Sequence, residues 1–137
     1  MNFGMYKSTG ILRYATGNAG VKLIVEVDPG ITAFYKSLIP KYYVANPQKY
    51  APHISVVRKE LPPRMDVWGK YEGQPVDFYY DGIVREGTVY WWLDTYSVKL
   101  EEIRLELGLP VSSPYTLPPE GFSKCFHTTL ANKKSMP

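Results

Sequence analysis

Two strand-like runs open the chain, Tyr6 to Tyr14 (YKSTGILRY) and Val21 to Val27 (VKLIVEV), with apolar and polar residues trading places at short intervals. The turn residues Gly17-Asn18-Ala19-Gly20 lie between them, so a hairpin is predicted. The period then lengthens. Asp28-Pro29 is a helix start, a capping acid followed by proline in the first turn. Ile31, Phe34, Tyr35, Leu38 and Ile39 follow the 3.6-residue period of one buried face, and Pro40 ends or kinks the helix. A loop through Asn46-Pro47 leads to a third strand, His53 to Val57, closed by the charged Arg58-Lys59-Glu60. Residues 60 to 75, with Pro62-Pro63, Gly69 and Gly73, read as a loop with one helical turn.

Val76 to Tyr80, Ile83 to Arg85 and Thr88 to Leu93 are strand-like runs separated by Asp81-Gly82 and Glu86-Gly87, which predicts an antiparallel meander. Ser97 caps a second helix, with Leu100, Ile103 and Leu107 inward and Gly108 and Pro110 as its stop. A loop rich in Pro and Ser, 110 to 121, is placed to cover a pocket, and a last strand follows from Cys125 to Ala131. The order is β-β-α-β, then β-β-β-α-β. An α+β fold is therefore predicted: two lobes of antiparallel sheet with helices outside, related by a pseudo-twofold.

At 137 residues, 45% hydrophobic and 21% charged, the chain reads as one globular domain spanning 1–137. The 12 Tyr, 5 Phe and 3 Trp suit strand filling at least as well as a stacking surface for bases. A net charge of +3 allows an anionic ligand but is too small for wrapping a DNA duplex. The polar start MNFGMYKSTG has no apolar signal segment, and no apolar run reaches the roughly 20 residues of a membrane span, so a soluble, cytoplasmic protein without a membrane partner is expected. Nothing points to an obligate protein partner. The single cysteine, Cys125, fits a reducing compartment. It shares a strand face with His127, but no third residue that would orient a Cys–His nucleophilic pair is visible, so a catalytic cysteine is not expected.

The chemistry concentrates in the two histidines. His53-Ile54-Ser55 lies in PHISVV, and His127-Thr128-Thr129 lies in FHTTLA. A lone histidine is more often a surface or satisfied core residue than a catalyst. Here every histidine in the chain opens the same pattern, with a hydroxyl at +2. On a strand, residues i and i+2 share a face, so each motif offers an imidazole beside a hydroxyl. Two such strands facing one another would supply two proton-transfer groups and two hydrogen-bond donors. Without carboxylate or thiol ligands nearby, two histidines make a poor zinc site, which needs three or four ligands; no metal and no cofactor is expected.

The paired motifs, their strand context and the order of elements resemble the 2H phosphoesterase (LigT-like) superfamily, whose members carry two His-x-[Ser/Thr] motifs several tens of residues apart. The short length and the start GMYKSTG are similar to the small phage-encoded anti-CBASS proteins, which degrade cyclic oligonucleotide signals of bacterial immunity. The resemblance implies a metal-independent phosphodiesterase with His53 and His127 as general acid and base, in either order, and Ser55 and Thr129 as donors to phosphate oxygens. Its substrates would be 3′,5′-linked cyclic di- or trinucleotides. The alternatives are a LigT-like enzyme acting on short RNA, at 2′,3′-cyclic ends or 2′,5′-linkages, and a non-catalytic protein that sequesters a nucleotide. Tyr14, Trp68, Trp91 and Trp92 are candidates for base stacking and Lys7 for a phosphate contact, each with an ordinary structural role as the competing reading.

Overall fold

The computed structural model describes residues 4–18, 20–113 and 117–134. Strand β1 (Tyr6–Gly17) and β2 (Gly20–Glu26) form the expected antiparallel hairpin, with Gly17 opposite Gly20 at its tip. β1 runs longer than its alternating segment because both of its edges are paired, to β2 on one side and β4 on the other. Helix α1 (Pro29–Lys36) starts where the cap requires: the Asp28 carboxylate accepts from the Gly30 amide at 2.8 Å. Its inner face differs from the periodic expectation. Thr32 is buried, Ile31 and Tyr35 are half-buried, and Phe34 and Leu38 stand 57% and 54% exposed. The helix stops at Lys36, before Pro40, so Leu38 lies in the following turn.

β3 (His53–Val57) has the predicted limits, and a 3-10 turn at Met65–Val67 is the only helical piece of the 60–75 loop. The meander is where the structure departs most from expectation. β4 (Pro75–Tyr80) does not return through Asp81-Gly82 as a hairpin; it pairs with β1, from Tyr6 opposite Tyr80 to Ile11 opposite Pro75. β5 is only Arg85–Glu86, and it pairs with β6 (Tyr90–Tyr96), which begins two residues later than its apolar run. The Asp81 side chain instead closes the local loop, accepting from the Ile83 amide at 3.1 Å and from Arg85 at 2.9 Å. Helix α2 (Val98–Glu106) matches its signals: Ser97 Oγ accepts from the Leu100 amide, and Gly108 takes φ +83° at the C-terminal end. β7 (Phe126–Asn132) leaves Cys125 just outside the strand.

The fold is α+β, with all strands in one antiparallel sheet of order β4-β1-β2-β3-β7-β6-β5. β4 also pairs with β6, through Tyr79–Tyr96 and Tyr80–Thr95, so the sheet curls back on itself. The two halves of the chain meet at β3 and β7, where Ile54 opposite Thr128 is the single registered pair. Inward residues Leu12, Leu23, Val25, Ile54, Val56 and Phe78 pack with Leu100, Ile103 and Leu107 of α2 in the main core. Ile39, Trp91, Leu93, Leu130 and Ala131 form a second cluster. Burying these side chains, each worth about 1.5–3 kcal/mol, fixes which face of β3 and β7 turns outward. None of the helices among the described residues is long and apolar enough to cross a membrane.

Candidate functional site

Alternation along β3 and β7 decides the site. Ile54 and Thr128 are buried at 0% and 1% exposure, so their flanking residues point to the other face. The antiparallel register then sets His53 across from Thr129 and Ser55 across from His127, with the two histidines on a diagonal. All four predicted residues line one cleft of ≈ 810 Å³. Thr128, the one departure from the apolar middle residue of the first motif, takes the place of Ile54's counterpart; its Oγ1 is buried without a hydrogen-bond partner.

The histidines are held differently. His53 Nδ1 lies 2.9 Å from the Ala51 carbonyl and donates to it, which leaves Nε2 free for chemistry. His127 stands opposite Asp94 of β6, with Nε2 3.4 Å from Asp94 Oδ1. Asp94 is buried and further held: Trp92 Nε1 donates to its Oδ1 at 3.0 Å, and Arg85 Nε meets its Oδ2 at 2.8 Å. The His127 side chain is 53% exposed, and partial desolvation of its ring pushes the pKa below the ordinary imidazole value; Asp94 opposes this, while Lys124 and Arg85 add to it. His127 is therefore biased toward the neutral form in the free protein.

Asp94 corrects one expectation. Pattern alone shows no orienting residue and no carboxylate near the histidines, yet donor atoms of Asp94, Cys125 and His127 lie within 4.8 Å of one another. These residue types suit a transition metal. Their present engagement does not: both Asp94 oxygens are taken by Arg85 and Trp92, and the Cys125 thiol, pushed up to about 12 by burial and by Asp94, carries its proton at neutral pH. Asp94, held by Arg85 and Trp92, reads as a charged support beside His127. It equally gives Cys125 no nucleophilic character. The signal for Asp94 was present in WWLDTY, an acid in an otherwise aromatic and apolar strand.

The cleft rim also carries groups that pattern reading missed. Lys22, Lys49, Arg58 and Lys134 line it, no Asp or Glu does, and none of the four forms an ion pair among the described residues. Tyr50, 64% exposed, lies under Lys22 and Lys49, each 5.5 Å from its ring centre. Tyr90 lies beside Lys134, whose ammonium holds the phenol below its usual pKa. Scattered along the sequence, these residues meet only through the sheet.

Most of the predicted stacking and phosphate candidates lie elsewhere. Tyr14 and Trp68 pack edge to face, 4.9 Å apart, on the main core, and Trp91 is buried in the second cluster. Lys7 pairs with Asp77 at 3.3 Å. Only Trp92 is near the site, its ring 5.7 Å from that of His127. The loop 110–121, expected over a pocket, contributes no lining residue to the cleft from its described part; residues 114–116 lie outside the described residues. Comparison of the chain with protein-family models, with curated proteins and with solved structures finds no match.

Proposed function

We propose that this chain is a phosphodiesterase that cleaves 3′,5′-linked cyclic di- or trinucleotides by acid–base catalysis at two histidines, without a metal. The observation that carries the reading is the convergence of His53, Ser55, His127 and Thr129 on one cleft whose rim bears four unpaired cations and no carboxylate. An oligoanion with a scissile phosphate is the ligand this charge pattern favours.

His127, biased to the neutral form and backed by Asp94, is the base: its free nitrogen takes the proton of a ribose 2′-hydroxyl. The 2′-oxygen attacks phosphorus and the bond to the 5′-oxygen breaks. His53, protonated on Nε2 and steadied through Nδ1 by the Ala51 carbonyl, gives its proton to that leaving oxygen. Ser55 and Thr129 donate to the non-bridging oxygens as charge grows there. The product is a 2′,3′-cyclic phosphate. The cyclic-oligonucleotide assignment and a phage source, with action in the host cytoplasm, rest on the likeness of GMYKSTG and chain length to anti-CBASS proteins. The pseudo-twofold 2H architecture is supported by the repeated order of strands, helix and His strand in each half.

The test is a cleavage assay with chelator present, offering 3′,3′- and 2′,3′-linked cyclic dinucleotides, a cyclic trinucleotide and linear RNA with a 2′,3′-cyclic end. Turnover of the rings, lost in His53→Ala and His127→Ala, is expected. Action on the linear end alone would move the assignment to RNA processing. Tight binding with ligand recovered intact would make the protein a sequestering one.

A further inference from the structure

Beside His127, across Tyr90 from the cationic rim, lies a second depression of ≈ 410 Å³. Val89, Tyr90 and Trp92 wall it, and Tyr90, His127 and Thr129 belong to both it and the cleft. No Lys, Arg, Asp or Glu lines it. Val89 and Tyr90 are 38% and 37% exposed and present apolar surface next to a polar site. The indole is fixed in place: its Nε1 donates to Asp94, and the Gly87 backbone lies so close that a Cβ there would sit 2.9 Å from Cζ3 of the ring. The Gly87 amide donates to the Tyr90 carbonyl at 2.9 Å and closes the turn that carries Val89.

We propose that this pocket holds the nucleobase of the nucleoside that supplies the attacking 2′-hydroxyl. Charge is segregated in the site as it is in a nucleotide: cations line the cleft where phosphates would lie, and an uncharged aromatic slot opens directly off it. The two share Tyr90, His127 and Thr129, so the slot adjoins the place where the scissile phosphate would lie. His127, the base of the proposed reaction, stands at the junction, which assigns the slot to the attacking side. Trp92 and Tyr90 offer ring faces and edges to a planar base, a contact that tolerates any base identity. The inference rests on the phosphodiesterase reading, and the experiment separates the two.

The experiment measures binding of adenosine 3′-monophosphate and of abasic ribose 3-phosphate by calorimetry, for wild type, Val89→Trp, which fills the slot, and Tyr90→Ala, which removes one wall. Circular dichroism checks each fold, and Tyr90→Ala stands in if Val89→Trp does not fold. Wild type is expected to prefer the base-bearing ligand by about tenfold or more, and both variants to lose most of that preference. Cyclic-dinucleotide turnover is followed in parallel. Turnover with a base preference that neither variant changes, or with no preference at all, overturns the pocket and leaves the phosphodiesterase standing. A preference that the variants abolish in a protein with no turnover keeps the base pocket and removes the catalytic reading.

Discussion

Asp94 and Thr128 show how much a single side chain decides here. His53→Ala or His127→Ala is expected to lower kcat by roughly 10²- to 10⁴-fold with the fold retained, read by turnover and circular dichroism. Asp94→Asn removes the charge that raises the His127 pKa, so the acidic limb of the kcat/KM profile should move to lower pH and kcat should fall by about tenfold or more. In wild type that limb is expected below the ordinary imidazole value, because partial desolvation lowers the His127 pKa and a base works only when unprotonated. A limb above pH 7 would remove His127 from the role of base. Thr128 is a different case. Its hydroxyl is buried with no partner, so Thr128→Val should raise stability by about 1 kcal/mol, seen as a higher urea midpoint at unchanged slope. The four cleft residues were legible because a histidine and a hydroxyl two apart on a strand form a local pattern. Asp94, Arg85 and the four cations were not, because each reaches the site only through strand pairing across long stretches of sequence.

Among the elements, α2 is tied by polar contacts to β3, the strand that carries His53 and Ser55. Arg104, nearly buried, donates to the Val56 carbonyl at 2.8 Å, to the Pro110 carbonyl at 2.9 Å and to both Glu60 oxygens. Val56 directly follows Ser55, so the guanidinium braces the strand that carries His53. Glu60→Gln leaves that charge without its anionic partner, and because the Glu60 side chain is 33% exposed a loss of about 1–2 kcal/mol in chemical denaturation is expected. The Arg104 hydrogen bonds hold the Glu60 carboxyl below its usual pKa. Its contribution is therefore complete above the unfolded value near 4.5 and fades as pH falls through the lower folded one; the variant should flatten the acid side of the stability profile. Helices and strands with local signals were readable: the Asp28 and Ser97 caps, the β1–β2 turn and the Gly108 stop each act within a few residues. The meander was not, because Asp81-Gly82 has the composition of a hairpin while β4 gains more pairing from β1, which no local pattern reveals. Phe34 and Leu38 misled for a related reason, since the face α1 buries is set by its contact with β7 and not by its own period.

For the whole molecule the governing quantity is the field of the cleft, since a net charge of +3 is modest and four of the cations without an ion pair among the described residues line its rim. Substrate affinity should weaken steeply with added salt, and Arg58→Ala or Lys22→Ala should raise KM more than they lower kcat, both read from initial rates at several ionic strengths. Insensitivity of KM to salt would mean that the cations do not meet the ligand. The path of the chain has a further consequence. The piece up to Glu60 owns His53, Ser55, Lys22, Lys49 and Arg58; the remainder owns His127, Thr129, Asp94 and Lys134. A cut before the exposed Leu61 breaks no strand, and β1–β4, β3–β7 and the Glu60–Arg104 pair would all span the two fragments. Neither fragment holds all four cleft residues, so, on the proposed phosphodiesterase reading, activity regained on mixing them would report their encounter and the chain would serve as a split sensor.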